Sequence, residues 1–426
     1  MIILWMFIGL LVLVLINVPI AVALAVIASA AMVYAHGVDV LPNVALVMMD
    51  GATNFPLIAI PLFILAGAIM NSTGISRRLI AFASAIFGFV RGGLAMVNIG
   101  TSLFFAEISG SAVADVAALG SILIPAMKKK GYPAPFAAAV TSSSATLAVI
   151  IPPSIPMILY AVMAQSSVVQ LFVAGIVPGV LGGFLMMVVA YRFAVRYNYP
   201  VEEVFRISHV VATFKDAALA FTLPVIILGG IFGGFVTATE GAGLAVVAAM
   251  IVGALYRELD WPHLKQAMID GSVQTAVVML LVASSVLIGQ YLTEAQVPQN
   301  LSRGIGDFTQ NKYIVLALLN LFFLVVGLFL HSAAAIILVV PIVMPLVQQV
   351  GIDPVHFGII VTLNLGIGQQ TPPVASVLVT ACSVARADIW EVSKVNVYFV
   401  GVLFTMLIMV TYIPAIPMAL VEYFYR

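Results

Sequence analysis

Four short stretches carry the residues of this chain best suited to chemistry. They are AEISGSAVAD (106–115), TSSSATLAVIIPPSIP (141–156), FLHSAAA (329–335) and LNLGIGQQTPPVAS (363–376). Each holds small hydroxyl residues: Ser109 and Ser111, Ser144 and Ser154, Ser332, Thr371 and Ser376. A hydroxyl accepts from a backbone N–H, donates to a carbonyl, or ligates a hard cation. Gly110 frees the first stretch from φ restriction. Pro152-Pro153 and Pro372-Pro373 lack backbone donors and interrupt any helix that contains them. A helix broken in this way ends in carbonyls that need partners and restarts with N–H groups that need them. The carbonyl end suits a cation such as Na⁺. The N–H end, at the positive pole of the helix dipole, suits an anion. This is binding chemistry. A hydrolase built on Ser109 or Ser111 with His331 would need a positioned general base and an oxyanion hole, and nothing in the sequence supplies them.

The elements that position these stretches are membrane spans. Of 426 residues, 63% are hydrophobic and only 8% charged, against about 25% charged in soluble domains. The chain reads as an all-α polytopic membrane protein. Its formal net charge of zero gives no electrostatic case for nucleic acid. The single Cys382 excludes an intrachain disulfide, and no Cys/His cluster with metal spacing appears. The first residues, MIILWMFIGLLVLVLINVP, lack a basic n-region and a small-residue cleavage site, so they are expected to be a retained span.

The chain also repeats itself. One constant shift lays Pro42 on Pro262, Asp50-Gly51 on Asp270-Gly271, Pro125 on Pro345, Gly131 on Gly351, and Pro152-Pro153 on Pro372-Pro373. Two homologous halves follow, 1–197 and 218–426, joined by a cytoplasmic connector over 198–217. Each half is expected to hold two spans (about 2–17 and 19–35; 218–236 and 241–256), an amphipathic arm (near 40–50; 258–269) and a third span (about 53–71; 272–291). A re-entrant hairpin (about 93–127; 312–348), a broken span (about 133–163; 354–385) and a closing span (about 171–191; 394–422) complete it.

An odd number of crossings per half makes the two repeats inverted. The basic residues agree. With the N-terminus outside, all of the 17 Lys and Arg except Arg303, Lys312 and Arg426 fall on the cytoplasmic side. The first hairpin ends in AMKKKGY and opens inward; its counterpart ends in LVQQVGI and opens outward. Inverted repeats with interrupted helices mark secondary transporters. One cation site per half is expected between a hairpin tip and its broken span, with the anionic substrate between the two tips.

Other polar residues keep two readings each. Glu107 and Asp115 flank the first tip; Asp115 is either functional or a dipole partner for the helix that follows. Glu240, in GGFVTATEGAG, reads as a capping box with Thr237 or as transport chemistry. His331 is a substrate or gating residue, or a satisfied polar group at the second tip. Leu403 is read as lipid-facing.

The runs SGSAVADVAALGSILIPAMKKKGY, IIPPSIPMILYA, GGFVTATEGAG and GQQTPP resemble the large membrane subunit of tripartite ATP-independent periplasmic (TRAP) transporters, and the resemblance covers essentially the whole chain. TATE stands at 237–240 where the family pattern leads one to expect TPTE, away from the candidate sites. The resemblance implies an elevator-type fold, Na⁺-driven uptake of organic acids such as C4-dicarboxylates, sialic acid and other acid sugars, and a bacterial inner-membrane location. It also implies two partners, a small four-helix membrane subunit, here a separate polypeptide, and a periplasmic substrate-binding protein. Carried over residue by residue, it places Ser109, Gly110, Ser111 and the backbone from Ile150 through Pro153 to Ser154 at a first Na⁺ region, to which the hydroxyls of the broken span add Ser144. Ser332, Gly366, Gly368, Gln369 and Thr371 form the second. Ser109, Gly110, Ser111, Pro153, Ser154, His331, Ser332, Thr371 and Ser376 face the substrate. The rival readings are a self-sufficient dicarboxylate- or citrate-type Na⁺ symporter and a channel.

Overall fold

Proline placement sets several of these helix boundaries, although Pro125, Pro178, Pro224, Pro341 and Pro345 lie inside helices. The structure, a computed structural model, describes residues 2–16, 18–109, 111–202, 204–372 and 375–425, and their side chains except at 2–4, 7, 11, 14, 15, 105–109, 301, 302 and 305–308. Among the described residues there are helices and no strands. In the first half the arm α3 (Leu41–Ala52) and the span α4 (Ala59–Ser72) are separate, with a 3₁₀ turn at Phe55–Ile58 between them. Pro56 disfavours helix at the residue before it. At the matching positions of the second half the chain reads Gln274, Thr275 and Ala276. There the expected arm and span fuse into one helix of 34 residues, Trp261–Glu294, which is therefore a correction to the sequence reading. The same logic splits the closing span. One helix, Ile389–Tyr412, ends before Ile413-Pro414 and a second, Ala415–Tyr425, follows. The connector is shorter than expected, because the helix Ile207–Phe232 begins inside it.

The remaining helices complete both halves. In chain order α1 is Ile2–Leu15, α2 Ile20–His36, α5 Ile75–Phe87, α6 Gly93–Ser109, α7 Ala112–Lys129, α8 Ala134–Ala145, α9 Ile155–Met163 and α10 Val168–Arg196. The second half supplies α11 (Ile207–Phe232), α12 (Ala238–Leu255), α13 (Trp261–Glu294), α14 (Val297–Phe308), α15 (Lys312–Phe329), α16 (Ser332–Gln349), α17 (Pro354–Gly368), α18 (Ser376–Ala385), α19 (Ile389–Tyr412) and α20 (Ala415–Tyr425). The shift that aligns Pro125 with Pro345 also lays both ends of α7 on those of α16, and the start of α8 on the start of α17. Eight helical segments among the described residues are long and apolar enough to cross a membrane.

The two broken helices run in opposite directions. The α8–α9 pair starts beside the base of the α6–α7 hairpin and ends near Tyr160, whose hydroxyl donates to the Pro354 carbonyl at the start of α17 (2.7 Å). The α17–α18 pair ends at Ala385, whose carbonyl accepts from Lys128 at the base of α7 (2.9 Å). Each broken helix thus begins where the other finishes, which is the inverted repeat expressed as contacts. The helices α6–α10 and α15–α20 pack mainly among themselves, as do α1–α5 and α11–α13. Contact between the two groups runs through α4, α5, α13 and α14.

Small devices fix individual ends. Glu240 and Thr237 form the capping box: Thr237 N–H donates to the Glu240 carboxylate (2.8 Å), and Glu240 N–H donates to Thr237 Oγ1 (3.2 Å). At the start of α5, Glu258 accepts from Arg77 (2.9 Å) and Arg78 (2.8 Å), while the Arg78 guanidinium lies 3.8 Å from the centre of the Tyr256 ring. The hydrogen bond from Arg78 holds the Glu258 carboxyl below its ordinary range; desolvation opposes this, and the charges of both arginines reinforce it. A depressed carboxylate contributes stability above its unfolded pKa and loses it as pH falls through the folded one. Glu258→Gln is therefore expected to destabilise by about 1 kcal/mol at neutral pH. The difference from wild type should shrink as pH falls below about 4.3. Thermal melts of the detergent-solubilised pair across that range check it, and a pH-independent gap would refute the assignment to this carboxylate.

Candidate functional site

Three helix N-termini converge on one cavity. It measures about 50 Å³ and is lined by Ser111 and Ala112 at the start of α7, Ile155 and Pro156 at the start of α9, and His331, Ser332 and Ala333 at the start of α16. Val149, Val278 of α13 and Gln369 close it. Both hairpin tips and both breaks therefore meet, although they come from opposite halves of the chain. A serine hydroxyl caps two of the three starts, while His331 before α16 makes no side-chain cap. Ser111 Oγ accepts from Ala114 N–H (3.5 Å), and Ser154 Oγ accepts from Met157 N–H (3.4 Å). Each start directs partial positive charge at the cavity. Gln369 is 3% exposed, and its side-chain Nε2 has no hydrogen-bond partner. A buried donor of that kind costs about 1–3 kcal/mol until something accepts from it. Helix starts and an unpaired amide donor are groups whose charge and polarity suit an anion. The cavity is far below the roughly 300 Å³ at which ligand pockets begin.

The expected site residues divide by position. Ser111, His331, Ser332 and Gln369 line the cavity. Ser154 bridges the first break, donating to the Val149 carbonyl (2.6 Å) while it caps α9. Pro153 is buried within that break, joined to Pro152 by a cis peptide bond. The Ile150 carbonyl lies against Gly175 of α10, where a β-carbon would collide with it. Ser144 lies on α8, within 2.9 Å of Ser102 Oγ on α6. Gly366 faces Thr146, and Gly368 presses on the backbone of Gly327 in α15. Thr371 Oγ1 donates to the Ile367 carbonyl (3.0 Å), and Ser376 Oγ is buried without a partner. The side chains of Ser109 and Glu107, and Gly110 and Pro373 entirely, lie outside the described residues. Asp115 is buried in the first turn of α7. Leu403 is 1% exposed and so faces the core, not lipid.

The sequence reading missed the polar seam that ties the halves together. Gln370 reaches across to α8: its Nε2 donates to the Ser142 carbonyl (2.8 Å) and to Thr146 Oγ1, while Ser142 Oγ donates to its Oε1. Asn396 of α19 donates to the same Oε1 (3.2 Å) and accepts from Ser143 Oγ (2.6 Å). Each hairpin is joined to its own broken helix in a similar way. Asn98 of α6 donates to Thr141 Oγ1 of α8 (2.6 Å), and Asn364 of α17 donates to Asn320 Oδ1 of α15 (2.6 Å). Ser144 and Asn364 hold equivalent positions in the two repeats. A buried asparagine within an apolar span demands a partner, and that signal was available at Asn98, Asn320, Asn364 and Asn396.

This architecture agrees with comparison to known proteins. Residues 7–416 match the DctM component of the tripartite ATP-independent periplasmic transporters. The chain belongs to this family. It is 36% identical to the C4-dicarboxylate TRAP transporter large permease protein DctM of Pseudomonas aeruginosa, with 90% of each chain covered. It is 39% identical to the isethionate TRAP transporter permease protein DctMQ of Oleidesulfovibrio alaskensis, covering 95% of this chain and 64% of that one, so it spans less than two thirds of that relative. It is 34% identical to the 2,3-diketo-L-gulonate TRAP transporter large permease protein YiaN of Escherichia coli, over 94% of each. The YdaH transporter of Alcanivorax borkumensis shares the fold, with TM-score 0.63, 15% identity and 88% of each chain covered. As a DctM-family protein the chain is embedded in the membrane, and its hairpins and broken helices are those of a transporter permease.

Proposed function

We propose that this chain is the transport subunit of a Na⁺-coupled secondary transporter in the bacterial inner membrane. It imports a small organic acid anion handed over by a periplasmic binding protein, with a separate small membrane subunit as part of the scaffold. The observation that carries the anion is the convergence of α7, α9 and α16 on one cavity beside the unpaired Gln369 amide. The relatives' names, which span a sulfonate and carboxylates, share that charge. The side-chain oxygens of the two broken stretches, 141–156 and 363–376, belong to Ser, Thr, Asn and Gln, with backbone carbonyls beside them, and among the described residues the carboxylate near the first tip is that of Asp115. A donor set so dominated by neutral oxygens suits a monovalent hard cation, whereas divalent sites gather several carboxylates. We assign the cations to a first region at Ser109, Gly110, Ser111, Ser144 and Ile150, and a second at Ser332, Gly366, Gly368, Gln369 and Thr371. Alternating access follows if α6–α10 and α15–α20 move as a body past α4 and α13, an elevator mechanism with the N-terminus periplasmic and the connector cytoplasmic. Cation binding at the tips would shape the anion site, so each ligand raises the affinity of the other.

The test is uptake into proteoliposomes that hold both membrane subunits, with binding protein and organic acid outside. Uptake should need an inward Na⁺ gradient, and uptake indifferent to replacing Na⁺ by K⁺ would sink the coupling. Transport by this chain alone would favour the self-sufficient symporter. Thr371→Ala is expected to raise the half-saturating Na⁺ concentration about threefold or more. The exposed Phe404, changed to alanine, should leave it unaltered. Equal effects would remove Thr371 from the second site.

A further inference from the structure

A second, larger cavity lies away from the breaks, at the C-terminal end of α10. It measures about 240 Å³ and is lined by Val189, Arg192, Phe193, Arg196, Tyr197 and, from α19, Tyr398. Both guanidinium groups are exposed, and among the described residues neither forms an ion pair with a carboxylate. Arg196 lies over the Tyr197 ring, 5.7 Å from its centre. Phe193 meets Tyr398 edge to face at 5.2 Å, which forms the wall between the two helices. Val180, Phe184, Val188, Arg192 and Arg196 recur at every fourth position of α10, one ridge on the helix surface. Its first three members are 58%, 62% and 37% exposed. An apolar strip therefore leads up to two arginines one turn apart, with exposed tyrosines at the same level. From Val180 to Arg192 the helix rises about 18 Å, close to the roughly 15 Å depth of one leaflet's hydrocarbon. Tyrosines and arginines at that level mark the membrane–water boundary.

We propose that this groove binds an anionic phospholipid. Its phosphodiester sits between Arg192 and Arg196, and an acyl chain lies along Val188, Phe184 and Val180. Two guanidinium groups spaced by one turn can hold phosphate oxygens bidentately. The strip below them adds a contact that inorganic phosphate cannot make, and this decides for a lipid over a free anion. The groove belongs to α10 and α19, within the group of helices that would move, so a bound lipid would travel with it. The inference depends only on membrane embedding, and its failure would leave the transport reading untouched.

Native mass spectrometry of the delipidated full-length chain in detergent tests it, with phosphatidylglycerol, phosphatidylethanolamine and inorganic phosphate as probes. Phosphatidylglycerol should be retained about tenfold better than phosphatidylethanolamine, and millimolar phosphate should not displace it. R192Q/R196Q should erase the preference, and R192K/R196K should recover more than half of it, which shows that the glutamine variant lost a phosphate contact and not its fold. A preference unchanged in R192Q/R196Q would overturn the proposal. Displacement by inorganic phosphate would overturn it in favour of a soluble anion. A dimer that R192Q/R196Q dissolves would overturn it in favour of a second copy of this chain on that face.

Discussion

Gln370→Leu is expected to lower organic acid uptake by more than about tenfold and to destabilise the protein by about 2–4 kcal/mol, because it strands several buried groups at once. Ser142 Oγ loses its acceptor, Thr146 Oγ1 loses a donor, and Asn396 loses the side chain that anchors it. All three residues are buried, and they sit on helices from both halves. The damage is therefore to the seam between the inverted repeats. Its neighbour should behave differently. Gln369→Leu removes an amide whose Nε2 has no protein partner, so without substrate the thermal midpoint should be no lower than that of wild type. Substrate affinity should nevertheless fall about tenfold, the loss of one hydrogen bond to a charged group. Thermal melts and uptake kinetics on the two variants separate the roles. If Gln369→Leu destabilised as much as Gln370→Leu, both glutamines would be structural, and the anion would need another donor.

Gly368→Ala should also be strongly damaging. A β-carbon there would lie 2.5 Å from Gly327 Cα and 2.6 Å from its carbonyl oxygen. No side chain can rotate aside, because the obstacle is the backbone of α15. The two helices would have to separate just where α17 ends, at a cost of about 1–3 kcal/mol. The separation would also move Gln369 and Gln370, the next two residues. Uptake should fall more than about tenfold. Gly401→Ala on α19, where a β-carbon meets nothing within 4 Å, should transport normally. Wild-type uptake by Gly368→Ala would show that the α15–α17 contact can relax without disturbing the site.

The sequence by itself determined the class, the duplication and the positions of the breaks. Those signals are local: low charge density, paired prolines, and landmarks that recur in one register from Pro42 and Pro262 to the two proline pairs. A proline acts on its own turn and the one before, so Pro152-Pro153 and Pro372-Pro373 announce interruptions whatever surrounds them. The same local rule explains the errors. Without a counterpart to Pro56, arm and span fuse in α13, and Ile413-Pro414 divides a span that hydropathy alone leaves whole.

Only the tertiary structure decided which polar residues meet. Gln369 and Gln370 are identical in type and adjacent in sequence, yet one faces the cavity and the other crosses to α8. Ser154, read from the sequence only as a site residue, also caps α9 and closes the break. Pairing between residues as distant in sequence as Ser142 and Gln370 leaves no periodic trace in either helix, because each buries polar and apolar side chains on several faces at once. The α8 and α17 helices are buried almost all round. A helix packed on every side shows no amphipathic stripe to say which residue looks where. That choice belongs to the neighbours, and the neighbours come from both halves of the chain.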